Sequence, residues 1–311
     1  MNVLKKMISV FLKGWEQFWF TPVSTSCISV FRILLGMLLI QDALLLCPDL
    51  YVWFGKDGIV SPAIVNGWQT HIRLNILNLF PNNDVWLNIV FAIFVISAIT
   101  LTIGFNTRLS AILAFVCLSS LHARNYLILN SGDVFMRMLC FWLIFSAAGM
   151  SLSIDRLRKR ALAAPWAQRI IQINLSLLYA HAFVKKITGA DWQNGTAVYF
   201  SSRMIEMQRF HIPFLFDQLW TCRLLSWAVL GIEFSLFTFI WVKPLRYYVL
   251  IAGLLMHLAI DWTMNIPQFE WIMMISYILF VEPDDMDKFI NRVGSLFTKL
   301  VRKLHFRQAT I

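Results

Sequence analysis

The chain has 311 residues, 59% of them hydrophobic and 14% charged, with a net charge of +10 at pH 7. Ordinary soluble domains are about 45–50% apolar and roughly 25% charged, so this chain has too little charged surface for a soluble enzyme, a disordered segment or a repeat solenoid. The composition points to an all-α, polytopic membrane helical bundle, with room for about eight spans of ~20 apolar residues each.

Residues 3–20 (VLKKMISVFLKGWEQFWF) place Lys5, Lys6, Lys13 and Glu16 in an aromatic, apolar pattern. That pattern predicts a helix lying in the membrane interface better than a signal peptide, because no small-residue cleavage site follows. Apolar runs then predict spans at 28–47, 85–103, 109–129, 134–151, 169–187, 224–242, 246–262 and 268–281. The last is the shortest. Two long connections separate them: 48–84, rich in turn formers, and 188–223, with a short helix expected from Ala197 to Phe210. The chain divides into an interfacial segment 1–27, a transmembrane domain 28–282 and a basic tail 283–311.

Seventeen of the 27 Lys and Arg fall in 1–27, 104–108, 152–169, 243–246 and 282–311, against five in 48–84, 130–133, 188–223 and 263–267. Positive residues accumulate on the cytoplasmic side, so both termini are expected to be cytoplasmic, in an inner (plasma) membrane. The cluster Arg156, Arg158, Lys159 and Arg160 weighs most because its loop is short. The charge indicates cytoplasmic loops and not nucleic acid. Cys27, Cys47, Cys117, Cys140 and Cys222 show no metal spacing. Cys47 and Cys222 fall near the outer face, where a pair is conceivable only if the fold brings them together.

Ionisable groups within a membrane are costly unless paired or hydrated. In this orientation Asp42, His122, Arg124, Asn125, Asp133, Arg137, His181, Lys185, Lys186, His257, Asp261, Asn265 and Glu270 fall near the outer ends of their spans. Five helices would thus bring polar groups to one depth, as an outward cavity requires. Bland readings stand beside this. Asp133 and Arg137 have the spacing of an intrahelical ion pair. Asp261 is placed either to orient the His257 ring or to form a buried pair with it. Arg32 has the position of a snorkelling residue, and Glu233, mid-span, requires a partner or neutrality. No histidine spacing supports a metal. Lys185 and Lys186 end an apolar helix as interfacial anchors would. The functional alternative is that one faces the cavity, where desolvation helps an ammonium release its proton and serve as a general base.

Val184–Phe200 (VKKITGADWQNGTAVYF) resembles the K-x-x-G-x-D-W-x-x-G-T-A segment of the HTTM (horizontally transferred transmembrane) family. Val30–Leu46, Phe54–Pro62, Ala123–Phe145 followed by Ser151–Asp155, and His257–Phe280 resemble other segments of that family in the same order. The family includes the vitamin K-dependent gamma-carboxylases and sporulation-delaying protein B.

The resemblance implies a carboxylase-like site in which a lysine deprotonates a reduced quinone, vitamin K hydroquinone in the carboxylases. By counting back from Trp192 that lysine is Lys186, with Lys185 one position away. His257 is the accompanying catalytic candidate, and Asp42, His122, Arg124, Asn125, Asp261, Trp192 and Asn265 are candidates for substrate binding. The large lumenal C-terminal domain of the animal carboxylases has no counterpart in this chain. The expected partners are the lipid bilayer, a secreted peptide substrate and accessory maturation proteins. The competing expectation is non-oxidative maturation or export of a peptide toxin, as in sporulation-delaying protein B. Neither an inverted repeat nor a pair of broken spans supports a transporter.

Overall fold

The structure is a computed structural model describing residues 2–68, 73–156, 161–266 and 268–308. Arg158, Lys159 and Arg160 of the basic cluster, and Pro267 in the last family-like segment, lie outside the described residues.

The described chain is almost wholly helical. α1 (Asn2–Phe20) is amphipathic and exposes Met7, Val10, Phe11 and Trp15. Its end docks through Phe18, which meets Trp241 and the Arg169 guanidinium. A two-residue strand, β1 (Val23–Ser24), pairs antiparallel with β2 (Leu162–Ala163), Val23 opposite Ala163. α2 (Ser26–Leu46) continues through a 3-10 turn into α3 (Leu50–Phe54), and α4 (Pro62–Trp68) follows.

The next helices are α5 (Asp84–Ile103), α6 (Thr107–Arg124), α7 (Ser131–Ile144) and α8 (Trp166–Ile187). After them come the short α9 (Ala190–Gln193), α10 (Ala197–Ser201) and α11 (Pro213–Phe216). The chain ends with α12 (Leu219–Phe237), α13 (Lys243–Thr263), α14 (Phe269–Ser276) and α15 (Pro283–Gln308). The helix expected from Ala197 to Phe210 stops at Ser201, and turns occupy the following residues.

Local chemistry sets the helix ends. Asn83 caps α5 by accepting from the Trp86 N–H. Gly104 ends α5 in the left-handed region, at φ 75°. A Cβ there would lie 2.0 Å from the Arg32 guanidinium. Arg32 is fully buried and donates to the Leu152 carbonyl at 2.5 Å, so it braces this turn and does not snorkel. Asn130 and Asp133 form a capping box at the start of α7: Asn130 accepts from the Gly132 and Asp133 N–H groups, and the Asp133 carboxylate accepts from the Asn130 N–H. This corrects the expected Asp133–Arg137 ion pair. The N3 carboxylate reaches back to an otherwise unsatisfied backbone donor, and no ion pair joins those two residues among the described ones.

Among the described residues, four helices are long and apolar enough to cross a membrane: Ser26–Phe54, Asp84–Ile103, Leu219–Phe237 and Lys243–Thr263. Phe269–Phe280 is a shorter apolar helix. α6 and α8 carry too many polar groups to qualify on composition. Those groups serve the interior: Gln168 and Gln172 of α8, for example, both donate to the Leu279 carbonyl.

α2, α5, α6 and α7 pack in succession around Phe31, Leu35, Phe94, Leu118 and Leu139. α8, α12 and α13 form a second group, which α14 joins to the first by touching α13, α7 and α2. All five cysteines are free. Cys47 is exposed, whereas Cys222 is buried with its thiol 3.3 Å from the Phe216 carbonyl, so the two do not pair.

Candidate functional site

α8 carries its last polar groups toward α12. Tyr179 and Lys186 are seven residues apart, two helical turns on the same face. Lys186 Nζ donates to Glu233 Oε1 of α12. It also lies 5.1 Å from the centre of the Trp192 ring, on the turn that follows α8, where a cation over an aromatic face is stabilised. The Thr188 hydroxyl ends the helix by donating to the Val184 and Lys185 carbonyls. Lys185 points elsewhere and is exposed, because adjacent residues diverge by about 100° on a helix.

Lys186 and Trp192 stand at the wall of a cavity of about 560 Å³. The rest of the wall is mainly apolar, with Phe210, Ile232, Met256 and Trp262 among its members, and Glu270 supplies the other charged group. The volume falls within the ~300–1,000 Å³ of small-molecule sites, which are mostly apolar with a few placed polar groups.

Behind Glu270 lies a buried polar chain. His257 Nδ1 donates to Glu270 Oε2. His257 Nε2 meets the Tyr179 hydroxyl at 2.7 Å, and that hydroxyl meets the Tyr277 hydroxyl at 2.6 Å. His257 is thus oriented by Glu270 and not by Asp261, correcting the expected pairing. Asp261, one helical turn on, pairs with Arg209 at 3.7 Å. The reason is geometric: Glu270 enters from α14 directly opposite the ring, while Asp261 sits beside the 204–210 turns.

The remaining sequence candidates do not line this cavity. Asp42 accepts from Gln268 Nε2 at 3.1 Å. Arg124 donates to the Phe54 carbonyl through Nε and to Asn82 Oδ1 at 2.9 Å through Nη2. Asn125 donates to the Trp53 carbonyl at 3.0 Å. These two residues hold the 48–84 connection, so neither reaches the cavity. His122 is buried, and its Nδ1 has no hydrogen-bond partner among the described residues. Asn265 links to the Met207 carbonyl and to Arg209, tying the start of the last segment to the 204–210 turns. Among the described residues no group of His, Cys, Asp and Glu is arranged to hold a metal.

Glu233, Tyr179 and Tyr277 were not singled out as site residues in the sequence. Glu233 carried a signal, being one acid mid-span with a stated need for a partner. The two tyrosines carried none, because a tyrosine on an apolar helix reads as core.

The HTTM domain family model matches residues 20–284. The chain is a member of the HTTM domain family. The match spans every helix from α2 to α14, and hence the whole cavity of this HTTM protein. No curated protein matches the chain, and no solved structure does.

Proposed function

We propose that this HTTM protein binds a lipophilic quinol in the cavity and that Lys186 is the base that deprotonates it, in the manner of the gamma-carboxylase membrane domain. In this reading α2, α5, α6, α7, α8, α12, α13 and α14 provide eight crossings, both termini are cytoplasmic, and the cavity belongs to the outer half of an inner membrane. The observation that carries it is that Lys186 stands at the wall of an apolar cavity while paired with Glu233. An apolar wall suits a hydrocarbon-substituted ring, and an ammonium–carboxylate pair can receive a proton once the carboxylate has taken the ammonium's.

The pair changes how the base works. Glu233 Oε1 holds the lysine proton, and Oε2 is buried without a partner among the described residues. For Lys186 to accept a proton from a ligand hydroxyl, its own proton moves to Glu233. The step then leaves ligand oxyanion, ammonium and carboxylic acid, with the proton count unchanged. Glu233 is therefore part of the base.

The test is turnover of a reduced naphthoquinone by the purified protein in detergent, followed as epoxide formed under oxygen with and without a glutamyl peptide. Wild type is expected to form epoxide, and Lys186→Arg to fail because a guanidinium does not release its proton. Full activity in Lys186→Arg would show that the lysine is an anchor. No turnover together with no binding would favour the peptide-maturation reading.

A further inference from the structure

The cavity has a second acidic group that the lysine reading leaves unused. Glu270 lines the wall, yet its hydrogen bonds among the described residues all run through Oε2, to His257 Nδ1. Unlike Glu233, Glu270 has no ammonium against it. Its partner is the His257 imidazole. Nδ1 faces the carboxylate and donates to it, Nε2 meets the Tyr179 hydroxyl, and that hydroxyl meets the Tyr277 hydroxyl. A Cβ on Gly253 would lie 2.7 Å from the Tyr277 hydroxyl, so only glycine leaves room for the end of this chain. Three buried groups from α8, α13 and the turn after α14 thus hold one carboxylate still. Its other oxygen has no hydrogen-bond partner among the described residues, and Glu270 lines the cavity.

We infer that Glu270 is a second proton acceptor of the cavity, separate from Lys186–Glu233, with His257, Tyr179 and Tyr277 as its positioning residues. The inference rests on the reading that the cavity takes a lipophilic hydroxy compound. In the step, the ligand O–H bond breaks, the proton passes to Glu270 Oε1, and the electron pair stays on the ligand oxygen. No oxidant or further reactant is involved. A ligand with two acidic hydroxyls would thereby meet two acceptors. The charged and titratable groups facing this one are His257 from α13, Tyr179 and Lys186 from α8, Glu233 from α12 and Tyr277 after α14.

The test uses an alkyl-substituted nitrophenol, whose absorbance separates its neutral and ionised forms. The detergent-solubilised full-length protein is titrated with the probe across pH. In wild type the bound probe is expected to ionise at least about one pH unit below its midpoint in detergent alone, a tenfold change in the ionised-to-neutral ratio. Lys186→Met, which leaves Glu270 untouched, is expected to keep part of that shift. Glu270→Gln is expected to reduce it, and Lys186→Met with Glu270→Gln to remove it. Tyr179→Phe, which removes the hydrogen-bond partner of His257 Nε2, is expected to weaken it while leaving binding intact. The proposal is overturned if Lys186→Met alone removes the whole shift, or if Glu270→Gln leaves it at the wild-type value. If the probe does not bind wild type at all, the hydroxy-ligand reading itself is wrong and this inference falls with it.

Discussion

Lys186 on α8, at the wall of the cavity, meets Glu233 on α12 as an ion pair, with the Trp192 ring 5.1 Å from the ammonium. The pair is mostly buried, the Lys186 side chain being 29% exposed and that of Glu233 6%. Removing one member of such a pair leaves the other charge uncompensated and costs typically ~3–5 kcal/mol, whereas replacing both with apolar residues is often neutral. The partial exposure of Lys186 places it toward the low end of that range. Lys186→Met should therefore lower the melting temperature in detergent, and adding Glu233→Leu should restore most of the loss. Equal stability of the single and double variants would show the pair to be energetically idle.

His257, Glu270, Tyr179 and Tyr277 should show a graded response. His257→Phe leaves the Glu270 carboxylate buried without a donor, a loss of about 3 kcal/mol or more. Tyr277→Phe removes one neutral hydrogen bond at the end of the chain, about 1 kcal/mol. Denaturation of the two variants under identical detergent conditions checks the order. Equal losses would contradict the description of a chain anchored at Glu270.

The start of α15 is pinned by the Asp285 carboxylate, which accepts from the Tyr247 hydroxyl at 2.6 Å and from Lys288 at 3.1 Å. The Tyr247 hydrogen bond, followed by that of Lys288, holds the Asp285 carboxyl below its usual range. A lowered folded-state value means the contact contributes above the ordinary carboxylate range and is lost as pH falls through the lowered value. Hydrogen exchange of the backbone around Asp285 should therefore stay slow at neutral pH and accelerate, after correction for intrinsic rates, under strong acid. Asp285→Asn should remove the pH dependence.

Gly104→Ala should be poorly tolerated. The residue holds a left-handed φ of 75°, and its added Cβ would lie 2.0 Å from the Arg32 guanidinium. Strain and displacement of a buried arginine together should exceed ~1 kcal/mol. Thermal unfolding of Gly104→Ala beside Gly67→Ala, a position with open space, separates these causes from the general effect of losing a glycine.

The helices were legible because apolar runs determine them: 85–103 against Asp84–Ile103, and 246–262 against Lys243–Thr263, differ by a few residues. The span at 134–151 was drawn too long. Its apolar content continues past Ile144, but the chain leaves the helix and supplies the carbonyls that Ser29 and Arg32 use. Sequence spacing could point to Lys186 but not to its partner, since Glu233 lies 47 residues away on another helix. The same limit explains Asp261. Four-residue spacing put it on the His257 face, yet Glu270 and Arg209 arrive from elsewhere and decide both pairings.

The charge bias predicts an orientation that labelling can check. With Cys47→Ser as background, cysteines placed at Ser201 and Ser295 should be labelled by an impermeant maleimide from the outer and the cytoplasmic side respectively. The reverse pattern would put the cavity on the wrong side for a secreted substrate.

The central claim is that a lipophilic ring occupies the cavity with its polar end against Lys186 and Glu270. Photolabelling with an azido-naphthoquinone, followed by peptide mapping, tests this most directly. Saturable labelling confined to the peptides bearing Trp192, Phe210, Met256 and Trp262, and competed by the reduced unlabelled ring, is the predicted result. Labelling that does not saturate, or that falls on the α2–α5–α6 side of the bundle, would contradict it.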